Sequence, residues 1–137
     1  MRLAQWVLAL SALPFLAIGL AFAIAPGEMG PLVSIDVADS TADNDIRAVY
    51  GGLQIGVGLF LALCVRRSEW LRPGLALQMM VFAGLLLGRT VSLGAAGPPT
   101  TIGFVLSIGE VLGLVAGVIA QDRLRAADAR AADAAQR

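Results

Sequence analysis

Apolar residues run along this chain in long stretches that are separated by short polar segments. The stretches cover residues 3–25, 46–65, 74–96 and 101–120. Each reaches or exceeds the roughly 18 mostly apolar residues that indicate a transmembrane helix. The pattern predicts an all-α protein, a transmembrane four-helix bundle that occupies residues 1–137 as a single domain.

The longest polar segment, residues 26–45, is predicted to be an extracytoplasmic loop. It is rich in Asp and contains no Arg. Residues 32–37 are apolar enough for a short interfacial piece, and the next helix needs a side chain that caps its first turn. The expected helix breakers are Pro26-Gly27 and Gly30-Pro31, and the expected N-cap is Asp43 or Asn44.

The last segment, residues 121–137, is Ala-rich with alternating charges. Alanine has the highest helical propensity, but this segment has almost no large apolar side chain to bury. We therefore expect a short helical cytoplasmic tail, a solvated extension of the fourth helix. The alternative is a tail that docks on a partner.

The placement of Arg predicts the orientation of the bundle. Arg lies at the N-terminus, after the second stretch and in the tail, whereas the 26–45 loop has none. Cytoplasmic loops carry the excess of basic residues, so both termini are predicted to lie in the cytoplasm. The first stretch resembles a signal peptide with Ala23-Ile24-Ala25 as a cleavage site. It exceeds the apolar core of about 7–15 residues of such a peptide, and we expect it to be retained.

Composition supports a membrane protein and excludes several kinds of site. The chain is 58% hydrophobic with a mean hydropathy of +0.80, against roughly 45–50% apolar residues in soluble domains. Formal net charge is zero, which gives no indication of a nucleic-acid partner. Histidine is absent and Cys64 is the one cysteine. Bis-His haem, a Cys/His zinc site and a His-based triad are excluded, and we expect no cofactor and no bound metal.

Two full charges interrupt the last two apolar stretches. Depths can be counted from the outer ends of the helices, where the third and fourth stretches meet. Arg89 lies about eight residues before the end of the third helix, and Glu110 lies about nine residues into the fourth, or ~13 Å at the α-helical rise. A charge inside the bilayer costs on the order of 2.5–3.5 kcal/mol even on the lenient insertion scale. Two opposite charges at matching depth in neighbouring helices predict a buried ion pair.

Further polar residues share a helical face with these charges. Arg47, Tyr50 and Gln54 are spaced three and seven apart, so they lie on one side of the second helix, with Gln54 at the depth of the pair. Ser92 follows Arg89 on its face, and Ser107 precedes Glu110. These residues form the candidate ligand-binding set, without a catalytic, cofactor or metal role: Arg47, Tyr50, Gln54, Arg89, Ser92, Ser107 and Glu110.

Three functions fit this pattern. The first is a polar pocket for a lipid or small amphiphile, in which Arg89 either binds an anionic group or holds Glu110 as a carboxylate. The second is a structural or accessory subunit whose Arg–Glu pair serves only helix packing. The third is a proton-coupled carrier or enzyme with Glu110 as the titrating group. One carboxylate without His is a sparse catalytic set, so the residues favour a protein that is not an enzyme.

Glycines recur at the spacing of small residues that lets helices approach closely in membranes. We expect most of them to pack helices within the bundle. The alternative is a face for a homo-oligomer or another membrane protein. Pairs or triplets with this spacing are Gly52 and Gly56, Gly84 and Gly88, and Gly109, Gly113 and Gly117.

Several polar and glycine-containing elements stand out in the sequence: Arg47-Ala-Val-Tyr50-Gly51-Gly52-Leu-Gln54-Ile-Gly56, Arg89-Thr-Val-Ser92-Leu, the Gly97-Pro98 turn and Glu110. On these elements the chain resembles the bacterial family of domain of unknown function 4345, which are small four-helix membrane proteins. The resemblance covers residues 3–120. It implies four helices and these polar positions, and it implies no known activity. We expect the membrane to be the bacterial inner membrane. A looser likeness to DoxX-like proteins concerns the fold alone.

Overall fold

The computed structural model describes residues 1–136, and Arg137, the last residue of the predicted tail, lies outside them. The described chain is helical apart from its turns. In chain order the helices are α1 (Arg2–Ile24), α2 (Pro26–Leu32), α3 (Ser40–Ile46), α4 (Gln54–Arg66), α5 (Leu71–Ala96) and α6 (Thr101–Ala135). A π-helical segment, Arg47–Leu53, joins α3 to α4, and a 3₁₀ turn, Ser68–Trp70, precedes α5.

Four helical runs within residues 1–136 are long and apolar enough to cross a membrane. These runs are Arg2–Ile24, Ser40–Arg66, Ser68–Ala96 and Thr101–Ala135. The predicted fold class is therefore confirmed, and the arrangement is that of a multi-pass membrane protein. The orientation with both termini in the cytoplasm stays a prediction.

The first helix is the centre of the bundle. It packs along α4 over most of its length and also touches α5 and α6, which pair with each other. We call the end of the bundle with Met1 and the 3₁₀ turn the proximal end, and the end with α2, α3 and the α5–α6 turn the distal end. The fully buried side chains Leu8, Leu61 and Leu75 belong to the core of the proximal half.

The distal half is packed less closely. No residue between positions 83 and 109 is buried, although this stretch covers the distal parts of both α5 and α6. The α5–α6 hairpin therefore stands apart from the α1–α4 pair here. The separation leaves space between the two pairs of helices at the depth of the predicted polar residues.

The second membrane-crossing run begins earlier than predicted. Asp39 is the N-cap of α3, because its carboxylate accepts hydrogen bonds from the backbone N–H groups of Thr41 and Ala42 at 2.8 and 2.9 Å. The expectation of Asp43 or Asn44 as N-cap was wrong. Asp43 instead forms an ion pair with Arg47 one turn further along the helix, at 2.7 Å.

The 26–45 segment also differs from its prediction. Pro26–Leu32 forms the short helix α2, whereas residues 32–37, predicted as an interfacial piece, are mostly irregular. Pro26 ends α1 and starts α2 because proline needs no N–H partner at the first position of a helix. Gly30-Pro31 lies inside α2 and does not interrupt it. A Cβ at Gly30 would lie 2.6 Å from the carbonyl oxygen of Ile35, which explains the glycine.

The last two membrane-crossing runs are longer than the apolar stretches that predicted them. The third run begins with the turn Ser68–Trp70. Pro73 does not interrupt this run, because it lies in the first turn of α5, where a backbone N–H has no partner within the helix. The fourth continues without a break to Ala135. Its polar part is exposed after Leu124, and an ion pair between Arg72 and Asp128 ties it to the start of α5.

Candidate functional site: a cavity around a buried ion pair

A cavity of about 590 Å³ occupies the space between the two pairs of helices in the distal half. Its walls come from α1, the π-helical segment, the start of α4, and α5 and α6, with Val33 and Ile35 at its rim. We call this space the distal cavity. Its polar lining consists of Tyr50, Gln54, Arg89, Ser92, Thr100 and Glu110.

Arg89 and Glu110 form a forked ion pair in this cavity. The Arg89 Nε donates to Glu110 Oε2 and its Nη2 donates to Oε1, both at 2.7 Å. The Glu110 side chain is 9% exposed and that of Arg89 33%. The predicted intramembrane salt bridge is thus present. A fork of two charge-assisted hydrogen bonds fixes α5 against α6 in both distance and rotation.

The guanidinium keeps hydrogen-bonding capacity after it has paired. Arginine has N–H donors beyond the two that Glu110 accepts. Within residues 1–136, the third nitrogen, Nη1, donates to no acceptor. It lies beside the first turn of α6, where a Cβ added at Gly103 would come within 3.9 Å. The pair is close to neutral as a whole, yet it offers donors to a group that enters the cavity.

The predicted ligand-binding residues divide into two sets. The lining of the distal cavity contains Tyr50 and Gln54 from one wall and Arg89, Ser92 and Glu110 from the other. Arg47 and Ser107, within the described chain, are outside this lining. Ser107 donates to the carbonyl oxygen of Gly103 at 2.8 Å, inside its own helix.

Arg47 contacts the C-terminal end of α1. Its Nη1 donates to the carbonyl oxygens of Ala23 and Ile24, and its Nε pairs with Asp43. The last carbonyl groups of a helix have no partner within the helix, so a guanidinium there stabilises the end of α1. Arg47 thus holds the π-helical segment that carries Tyr50 against α1.

Two stacked aromatic rings line the proximal side of the distal cavity, and a hydrogen-bonded glutamine lies beyond them. Phe15 and Phe82 stack with ring centroids 5.6 Å apart. One turn deeper, the buried side chain of Gln78 donates to Ser11 Oγ at 3.2 Å and to the carbonyl oxygen of Gly113 at 2.8 Å. These two hydrogen bonds join α1, α5 and α6 on the proximal side of the cavity.

Comparison with known proteins supports the resemblance noted from the sequence. A family model described as domain of unknown function 4345 matches residues 3–121. The chain belongs to this family. No curated protein and no solved structure matches it. The matched range contains the four apolar stretches and every polar residue of the distal cavity, so the site is part of the region that defines the chain as a member of family 4345.

Three glycines in this family 4345 site have a different place from the one predicted. Gly84, Gly88 and Gly109 were expected to pack helices, but they line the distal cavity, and a Cβ at any of them would meet nothing within 4 Å among the described residues. By contrast, Gly113 and Gly117 pack against Phe82 and Gln78, as expected. Thr100 was not among the predicted site residues, although its side chain accepts from the backbone N–H of Gly103 in a recognisable N-cap.

The contacts of Arg47 in this family 4345 protein lead to a prediction. Replacement of Arg47 by Met keeps the unbranched apolar stem of the side chain and removes the guanidinium with its hydrogen bonds to α1. We expect a loss of about 1 kcal/mol of unfolding free energy, because the pair is half exposed and each charged hydrogen bond contributes about 1.5–3 kcal/mol when well buried. Hydrogen exchange should become faster around Ile24 and in the π-helical segment. Unchanged exchange there would contradict the assigned role.

Proposed function

We propose that this protein binds a lipid or small amphiphile in the distal cavity and is not an enzyme. The observation that carries the proposal is the forked Arg89–Glu110 pair, which lies in the wall of an open cavity and whose Nη1 donates to no acceptor among residues 1–136. A pair that served only helix packing would require no space beside it. A cavity of about 590 Å³ has the size of a typical small-molecule site, roughly 300–1,000 Å³.

The ligand is expected to carry an uncharged headgroup rich in oxygen atoms. Glu110 already neutralises the guanidinium at 2.7 Å. A second anion would share Arg89 with that carboxylate and be repelled by it in a medium of low dielectric constant. Ester, hydroxyl or carbonyl oxygens accept from Nη1 without this cost. Tyr50, Gln54 and Ser92 supply further donors and acceptors across the cavity.

The ligand is expected to enter from the membrane. The side chains of the cavity besides the polar set are mostly Phe, Ile, Val and Leu, so its walls suit the apolar part of an amphiphile. We expect the membrane to be a bacterial inner membrane. The excess of Arg at the proximal end supports an orientation with both termini in the cytoplasm, and in that orientation the distal cavity would lie in the outer half of the bilayer.

The test replaces both charges together. In Arg89→Met/Glu110→Met, apolar side chains of similar length take the place of the pair, and removal of a buried pair in this way is often neutral for stability. Native mass spectrometry of protein taken from membranes should show an uncharged amphiphile on the wild type. The double variant should fold, by circular dichroism and gel filtration, and carry none.

The control is a second ion pair far from the cavity. Arg72 and Asp128 join α5 to α6 at the proximal end, and Arg72→Met/Asp128→Ala should keep the bound molecule. Equal occupancy in the wild type and in the Arg89→Met/Glu110→Met variant would contradict the proposal. A bound lipid with an anionic headgroup would contradict its assignment of an uncharged one.

A second candidate, an accessory subunit or homo-oligomer, is supported by the outer face of the π-helical segment and the start of α4. Gly52 and Gly56 are one helical turn apart and exposed, and a Cβ there would meet at most the carbonyl oxygen of Arg47, at 3.8 Å from position 52, among the described residues. Small residues at this spacing allow another transmembrane helix to pack closely. Crosslinking of Gly56→Cys in native membranes tests this candidate. A helix packed on this face should give one specific crosslinked product, either a dimer of this chain or an adduct with another membrane protein.

A further inference from the structure

A second depression adjoins the distal cavity on its proximal side. It measures about 270 Å³ and is formed by α1 and α6 with one side chain from α5. We call it the proximal groove. The residues that belong to it alone are Val7, Leu10, Ser11, Leu112, Gly113 and Ala116.

The cavity and the groove share three lining residues, Pro14, Phe82 and Gly109. They therefore meet at one junction, beside the stacked aromatic rings of the distal cavity. Gly109 is exposed, and a Cβ at this position would meet nothing within 4 Å among residues 1–136. The absence of a side chain at position 109 keeps the junction open.

The two spaces differ in chemistry. The distal cavity carries the ion pair and the polar side chains of Tyr50, Gln54 and Ser92. The lining of the proximal groove is almost wholly apolar, and its one polar side chain, Ser11, already accepts a hydrogen bond from Gln78. From Pro14 to Val7 the groove follows seven residues of α1, or about 10 Å of helix at 1.5 Å per residue.

We infer that the ligand is a single-chain amphiphile whose head contacts Arg89 and whose aliphatic tail passes Gly109 into the proximal groove. This inference rests on the proposed function and specifies its ligand. A polar space and an apolar space that are joined end to end match a molecule with one head and one tail. The groove runs along α1 and α6, and it has room for one aliphatic chain beside these two helices.

The tail is tested with monoacylglycerol probes in nanodiscs of diacyl phosphatidylcholine. One probe carries a diazirine at the end of its acyl chain, and another carries it beside the glycerol. After photolysis, peptide mass spectrometry should place the chain-end label on residues 7–11 of α1 and 112–116 of α6. The glycerol label should fall around Arg89 and Ser92.

Gly109→Leu fills the junction and leaves both charges in place. The variant should keep the fold, because leucine is a better helix former than glycine and a Cβ at position 109 meets nothing within 4 Å among the described residues. Chain-end labelling of the groove should fall by roughly tenfold, since the tail loses its buried methylene contacts. Gly94→Leu is the matched control, because position 94 is exposed, is outside the lining and also has open space. It should label as the wild type does.

The outcomes separate the two proposals. Head labelling at the cavity, with chain ends spread over lipid-facing residues and unaffected by Gly109→Leu, would overturn the path of the tail and leave the proposed function standing. Absence of head labelling from the wild-type cavity would overturn both. Loss of the head label in Arg89→Met/Glu110→Met together with a groove label that depends on position 109 supports both.

Discussion

Glu110→Ala is expected to lower the free energy of unfolding by about 3 kcal/mol, measured in mixed micelles of mild detergent and dodecyl sulfate. Loss of one partner of a buried pair typically costs about 3–5 kcal/mol, because the other charge stays buried and unpaired. The lower end applies here, since the Arg89 side chain is 33% exposed and opens toward the cavity. Bound amphiphile should also be lost, because the guanidinium is no longer held in place.

The pair variant distinguishes an unpaired charge from a loss of packing. Arg89→Met/Glu110→Met should recover most of the stability that Glu110→Ala loses, and it should still bind no ligand. If the double variant is as unstable as Glu110→Ala, the cost arises from the volume at position 110 and the charge pair contributes little. If Glu110→Ala is as stable as the wild type, the pair is not buried in the membrane.

Gly19→Leu is expected to destabilise the bundle by about 2–3 kcal/mol or to prevent folding, because overpacking a close contact typically costs about 1–3 kcal/mol and occasionally more. Gly19 is buried in the α1–α4 interface. A Cβ there would lie 2.9 Å from the backbone nitrogen of Ile55 and 3.0 Å from Cβ of Gln54. Backbone atoms cannot move aside as the end of a side chain can, so the two helices must separate.

The same substitution at position 94 shows whether the effect comes from packing. Gly94 faces open space, and Gly94→Leu should be neutral or stabilising by up to about 1 kcal/mol through helix propensity. The comparison uses the same unfolding measurement in the same micelles. Equal stabilities for the two variants would mean that α1 and α4 are not in close contact at Gly19.

Counting along the helices was enough to predict the ion pair. The rise of an α-helix is fixed, so positions relative to a shared turn give depths, and the α5–α6 turn at Gly97-Pro98 is short. Arg89 and Glu110 therefore had to meet if their faces agreed. The four membrane-crossing runs followed from hydropathy for a similar reason, since the thickness of the bilayer sets the length of an apolar helix.

The contacts of the Arg47 side chain could not be predicted from the spacing of residues along the helix. Its place on one face with Tyr50 and Gln54 suggested a shared site, but its guanidinium turns to the end of α1. That end is distant in sequence, and its free carbonyl groups become visible only when the helices are packed. The π-helical segment around Tyr50 likewise has no marker in the order of apolar and polar residues.

Glycine spacing also left the position of the cavity undetermined. Gly84 and Gly88 show the same spacing as Gly113 and Gly117, yet the first pair lines open space and the second packs on α5 side chains. A glycine allows close approach of a neighbour and equally allows a void. Which of the two occurs depends on where along α1 the helices α5 and α6 cease to contact it. That position is set by the packing of all four long helices.

The most direct test of the site is an experimentally determined structure of the protein extracted from its membrane with native lipids. We expect a forked Arg89–Glu110 pair between α5 and α6, with elongated density that begins within hydrogen-bonding distance of Arg89 Nη1 and runs past Gly109. A guanidinium and a carboxylate on separate lipid-facing sides, or two helix pairs closed on each other without a cavity, would contradict this expectation.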